Sequence, residues 1–267
     1  MQPAAVTLLV LAATWDAWRW YARRVAAAPE EAAALAAAAL LLSVLAARHV
    51  FRERQLHSLP LAPVTALLLA YAVSFALAPP ILRMAIAVST VLFCAHRAVI
   101  GRAPPPALWG VSLLVLPVLP SLQFFLGYPL RLVGAALTAL LLQANGLVVS
   151  RQGIDLVWRD EVLQFDAPCS GVNMLWAGLL LTLAIAWLNG SGAARLAAAL
   201  VLSLAMSLLF NVLRATSLFY LESGLVTGAD WWHEAVGLVA FALAAAATVA
   251  AAHILERWQP RCSEKCV

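Results

Sequence analysis

The chain has 267 residues, 64% of them hydrophobic and 11% charged, with a mean hydropathy of +0.91. A soluble globular domain is about 45–50% apolar and about 25% charged, so this chain lacks the polar surface that water requires, and lipid must be its main solvent. The net charge of +4 fits arginines in cytoplasmic loops and argues against a nucleic-acid surface.

The expected fold class is all-α: a polytopic transmembrane helical bundle of eight or nine spans, with a short extracytoplasmic hairpin. A crossing helix needs roughly 20 apolar residues. In chain order the candidate runs are 3–21, 32–50, 61–78, 81–99, 107–126, 129–149, 170–189, 194–219 and 234–255. The opening MQPAAVTLLVLAATW lacks a basic n-region and an A-x-A-like site, which predicts a retained first span rather than a removed signal peptide. Asp16 and Arg19 interrupt that span, and Pro117 and Pro120 predict a kink or a re-entrant course in the fifth. Segment 150–168 alternates as GIDLVW and EVLQF around Arg159-Asp160, the pattern of a short hairpin on the membrane surface.

Lys and Arg set the orientation. The tail after 255 carries Arg257, Arg261 and Lys265, whereas loop 220–233 carries neither residue type. The tail is therefore expected in the cytoplasm, with 220–233 and 150–168 on the other side. The front half agrees less well: counting nine spans puts Arg48, Arg52 and Arg54 outside, against the same rule.

This orientation brings three polar side chains to one side of the membrane at similar depth. Cys169, in DAPCSGV, precedes the span 170–189 at a helix entrance, where the positive end of the dipole favours thiolate. Arg214, in FNVLRATSLFYL, lies inside the next span, about 8 Å of helix rise from Phe219. An ionisable residue there usually faces a cavity or a partner. Asn211 shares its helical face. His233, in GADWWHEAVGLVAF, opens the last span. Together they form an acyl-transfer set. The thiolate attacks a peptide carbonyl and the imidazole protonates the leaving amine. The guanidinium, or backbone N–H groups near Ser170 and Gly171, stabilise the oxyanion.

Plainer readings exist for each residue alone. Cys169 serves equally as a small residue at a helix start. Arg214 is close enough to the helix end to snorkel. His233 beside Trp231 and Trp232 suits an aromatic interface belt. Asn211 suits a helix–helix hydrogen bond, Asn173 suits packing as well as a cavity, and Glu234 suits a helix N-terminal charge as well as a partner for His233. Cys94 reads as packing, Cys262 and Cys266 as idle thiols. The residues His49, His57, His96 and His253 show no metal-ligand spacing, so no metal and no cofactor is expected.

At these residues the sequence resembles the exosortase/archaeosortase family of multi-pass membrane transpeptidases. Pro-Cys-Ser-Gly at 168–171 matches the family's cysteine motif, Asn211-Val212-Leu213-Arg214 its N-x-x-R motif, and His233-Glu234-Ala235-Val236-Gly237 its late histidine. GYPLR at 127–131 resembles the lead-in to the cysteine. Pro168 and the Val-Asn after Gly171 depart from the commonest pattern, which leaves the subfamily and its substrate tail open.

The resemblance implies a catalytic core over 105–255, preceded by N-terminal spans over 1–104 and followed by a cytoplasmic tail over 256–267. It implies a cysteine protease or transpeptidase of the bacterial inner membrane, its active site facing the periplasm. Its substrates would be exported, membrane-anchored proteins ending in a sorting tail of the Pro-Glu-Pro type, moved to an unidentified amine acceptor, in cells that make exopolysaccharide. The alternative from another class is a multi-pass transporter or channel with Arg214 in the substrate pathway. A quinone-linked thiol redox protein would need paired cysteines, and an assembly factor would tolerate replacement of all three polar residues.

Overall fold

The computed structural model describes residues 3–28, 35, 39, 57–159, 161–164, 170–229 and 231–257. The expected span 32–50 falls, but for residues 35 and 39, outside them, as do Cys169, Cys262 and Cys266. The chain clusters into two compact units, Met1–Val118 with Trp187–Gly190, and Leu119–Ala186 with Ser191–Val267.

The first unit holds α1 (Pro3–Ala13), α2 (Trp15–Ala26), α3 (Leu61–Leu77), α4 (Pro80–Ile100) and α5 (Pro106–Leu114). The expected first span is two helices. Thr14 interrupts it: its hydroxyl donates to the Val10 carbonyl at 2.8 Å and accepts from the Trp18 indole at 3.0 Å. Asp16, the charge that weakened this span in the sequence, pairs with Arg19 at 2.8 Å and stands 3.9 Å from Arg83 of α4. Arg83 also lies over the Phe75 ring, 4.9 Å from its centroid. Cys94 is fully buried among Val6, Val10 and Val64, a packing position.

The second unit begins with a departure from the expected spans. The runs 107–126 and 129–149 are instead a short α5 and one long helix, α6 (Leu119–Ala144). The chain breaks at 115–118, where Pro117 offers no donor and Val118 N–H turns back to the Leu116 carbonyl at 2.7 Å. Pro120 then sits in the first turn of α6, where its missing N–H costs nothing. Pro129 lies inside α6 without ending it, as membrane helices tolerate. Gly146, at φ +84°, closes the helix, with Leu147 N–H reaching the Leu142 carbonyl at 3.1 Å.

The expected hairpin is a three-stranded antiparallel sheet: β1 (Ser150–Gln152), β2 (Asp155–Trp158) and β3 (Glu161–Leu163), in sequence order. Trp158 pairs with Glu161, and Arg159 between them takes a left-handed conformation with its guanidinium 4.2 Å from the Trp158 ring. One face of the sheet is buried. Leu156 and Trp158 pack with Ala135, Ala139 and Leu142 of α6 and with Ala215 and Phe219 of the helix that carries Arg214. The sheet is thereby fixed to protein at the end of two helices.

Three further helices complete the unit: α7 (Val172–Leu188), α8 (Ala193–Glu222) and α9 (Trp232–Arg257). Among the described residues, α4, α6, α8 and α9 are long and apolar enough to cross a membrane, and α1, α3 and α7 are shorter apolar helices.

Candidate active site

The sequence places Ser170 and Gly171 directly after Cys169. The Ser170 hydroxyl donates to Gln123 Oε1 of α6 at 3.1 Å and accepts the Val172 N–H at 3.3 Å. Leu175 N–H then reaches the Gly171 carbonyl at 2.9 Å, opening α7. Gly171 has φ +76°, and a Cβ there would lie 2.7 Å from Asn211 Cγ and 2.9 Å from its Nδ2. Glycine is required twice at this position, for conformation and for space.

The approach continues along both helices. A Cβ on Gly178 would stand 2.9 Å from the hydroxyls of both Ser203 and Ser207, and Ser207 Oγ lies 3.5 Å from the Met174 carbonyl. Gly171, just before α7, and Gly178 of α7 thus face Asn211, Ser207 and Ser203 of α8. The two helices run antiparallel along a seam of small residues, which lets backbones come close. Asn211 is 2% exposed. Its level lies about 16 Å of helix rise from the end of α8 at Glu222.

Arg214 is three residues further along α8. Its Nε lies 3.5 Å from where a Cβ on Gly237 of α9 would stand. It lines a cleft of about 360 Å³ between α8 and α9, with Phe210, Ser217, Trp231, Trp232 and Val236 among its neighbours. The tryptophans that suggest an interface belt therefore also wall this cleft.

His233 is one turn before Gly237 on α9 and half exposed. Its Nδ1 lies 3.5 Å from Glu222 Oε1, at the last residue of α8. The turn joining them is held by Ser223 N–H to the Phe219 carbonyl at 2.9 Å and Val226 N–H to the Tyr220 carbonyl at 2.9 Å. Glu234, the neighbour named in the sequence reading, lies exposed in the first turn of α9, where a carboxylate suits the helix dipole. Asn173 is exposed and lines neither this cleft nor the narrow crevice beside Ser170, Gly171 and Asn211.

Two residues here escape sequence reasoning. Gln123 anchors Ser170 from a helix 47 positions earlier. Glu222 faces His233 across a turn. The only sequence signal for Glu222 is that it is a carboxylate in a loop without Lys or Arg. Among the described residues, no three His, Cys, Asp or Glu side chains converge as a metal site would require.

Long apolar helices that carry a few polar residues define an integral membrane protein with a helical core. The chain matches the transmembrane exosortase family over residues 2–250 and belongs to it. It is accordingly a membrane transpeptidase or protease acting on protein substrates. The match also takes in the first hundred residues, which the motifs alone leave as generic spans. No curated protein and no solved structure matches the chain.

Proposed function

We propose that this chain is a cysteine transpeptidase of the bacterial inner membrane that removes a C-terminal sorting tail from exported proteins on the periplasmic side. Cys169 Sγ, as thiolate, attacks the scissile carbonyl carbon, and the charge on its oxygen is met by Arg214 and by backbone N–H groups at Ser170 and Gly171. The C–N bond breaks as His233 gives its proton to the leaving amine, which departs with the tail. An acceptor amine then attacks the thioester, its proton passes to His233, and the thiolate leaves.

The observation that carries this reading is the anchoring of the residues next to Cys169. Ser170 is bonded to Gln123 and Gly171 is pressed on Asn211. Asn211 is three positions from Arg214, whose guanidinium abuts the helix of His233. Such fixing suits a nucleophile whose geometry must hold to within about 0.5 Å. It also favours this reading over a transporter, which gives no role to a thiol at that point. The catalytic core is proposed over 105–255, with 1–104 and 256–267 as N-terminal spans and cytoplasmic tail.

The test is co-expression with an exported protein from the same genome that ends in a short motif, one apolar span and a basic cluster. Wild type shortens the substrate on an immunoblot and Cys169→Ala leaves it full length. Shortening that persists with Cys169→Ala would sink the nucleophile assignment. A cellular function that survives Cys169→Ser but not loss of Arg214 would favour the transporter.

A further inference from the structure

Glu222 is misplaced by the rules of helix stability. It is the last residue of α8, where the macrodipole is negative and a carboxylate is disfavoured. The turn that follows contains no Lys or Arg to compensate it. What the structure sets against it is the His233 imidazole, Nδ1 to Oε1 at 3.5 Å. His233 is in turn the second residue of α9, whose positive end disfavours an imidazolium. Each residue breaks a local rule that the other relieves. Glu222 and His233 flank a turn whose first half is closed by backbone hydrogen bonds, on helices packed through Phe210, Ala240 and Ala244, so the fold holds them as neighbours.

From this we infer that Glu222 is the positioning residue for His233. Its carboxylate faces Nδ1 at 3.5 Å and favours the tautomer that carries the proton there, leaving Nε2 as the nitrogen that exchanges the proton with the Cys169 thiol and the leaving amine. The logic is that of a nucleophile whose base is oriented by a third group. The inference rests on the acid–base role proposed above for His233.

The test uses the full-length enzyme in proteoliposomes with Cys94, Cys262 and Cys266 replaced by Ser. Iodoacetamide is the probe: Sγ loses its proton to the base, forms the S–C bond and expels iodide. Glu222→Gln keeps the shape and removes the charge. It is expected to slow Cys169 alkylation about tenfold, a part of the roughly 10²–10⁴ that acid–base catalysis contributes. His233→Ala slows it at least as much, and the double variant matches His233→Ala. In the cleavage assay Glu222→Gln lowers kcat and leaves KM unchanged. A merely structural or misfolded variant would slow the His233→Ala background as well, and that additive result overturns the proposal. A wild-type rate for Glu222→Gln beside a slow His233→Ala overturns it too, while leaving the His233 assignment standing. A wild-type rate for His233→Ala removes the acid–base reading itself.

Discussion

A methyl group added at Gly171 would stand 2.7 Å from Asn211 Cγ, on a backbone held at φ +76°. Left-handed strain costs about 1–2 kcal/mol for a residue with a Cβ, and overpacking typically adds about 1–3 kcal/mol. Gly171→Ala is therefore expected to abolish processing and to lower the melting temperature in detergent. Unchanged melting and full processing would show that Asn211 yields freely. Arg214→Lys keeps the charge but loses the planar fork of donors, and the expected outcome is about a hundredfold loss of kcat, the range for one oxyanion donor. At this scale the sequence was readable where the membrane makes polar residues costly: Arg214, Asn211 and His233 stand out against an apolar background. Gln123 and Glu222 did not, because each takes its meaning from a neighbour that only the fold supplies.

The seam between α7 and α8 is an element built on absent side chains. Gly178→Leu would drive a branched chain into Ser203 and Ser207, both within 2.9 Å of the Cβ position. It is expected to part the helices, lowering both yield and processing. Gly192→Ala, where nothing lies within 4 Å and φ is ordinary, serves as control and should be neutral. Limited proteolysis of membranes distinguishes the two. The sheet offers a parallel case. Phe219 meets Trp158 edge-on with centroids 6.0 Å apart, and Phe219→Ala is expected to cost about 3–5 kcal/mol, read as loss of melting temperature. Apolar run length announced α3, α4, α8 and α9 to within about three residues at each end. It misjudged the proline-bearing stretch, since Pro117 breaks the chain and Pro129 does not, and both lie in largely apolar runs. The alternation in 154–163 suggested a hairpin. Strand β1, SRQ, is too short and polar to declare itself, and exists because β2 offers it an edge.

For the molecule as a whole, orientation came from the placement of Lys and Arg alone. The proposed periplasmic site predicts that a membrane-impermeant maleimide, added to intact cells with permeabilised outer membranes, labels Cys169 in a variant lacking the other three cysteines. Labelling only after lysis would invert the topology. The family match across 2–250 takes in residues of both compact units, so the first hundred residues belong to the family's plan as much as the rest.

The β1–β2 turn has one more consequence. Gly153 sits at its tip with φ +65° and nothing within 4 Å of where a side chain would be. The strands on either side are held by pairing and by the buried face of β2, and Ile154 packs on the same cluster, while the Gly153 Cα faces open space. Exposed tips of this kind accept foreign residues with little harm to the fold. A short epitope spliced in after Gln152 would ride on the sheet, at the C-terminal ends of α6 and α8. It would give antibodies a grip on the protein outside its long helices, and report in living cells which copies have reached the membrane correctly folded.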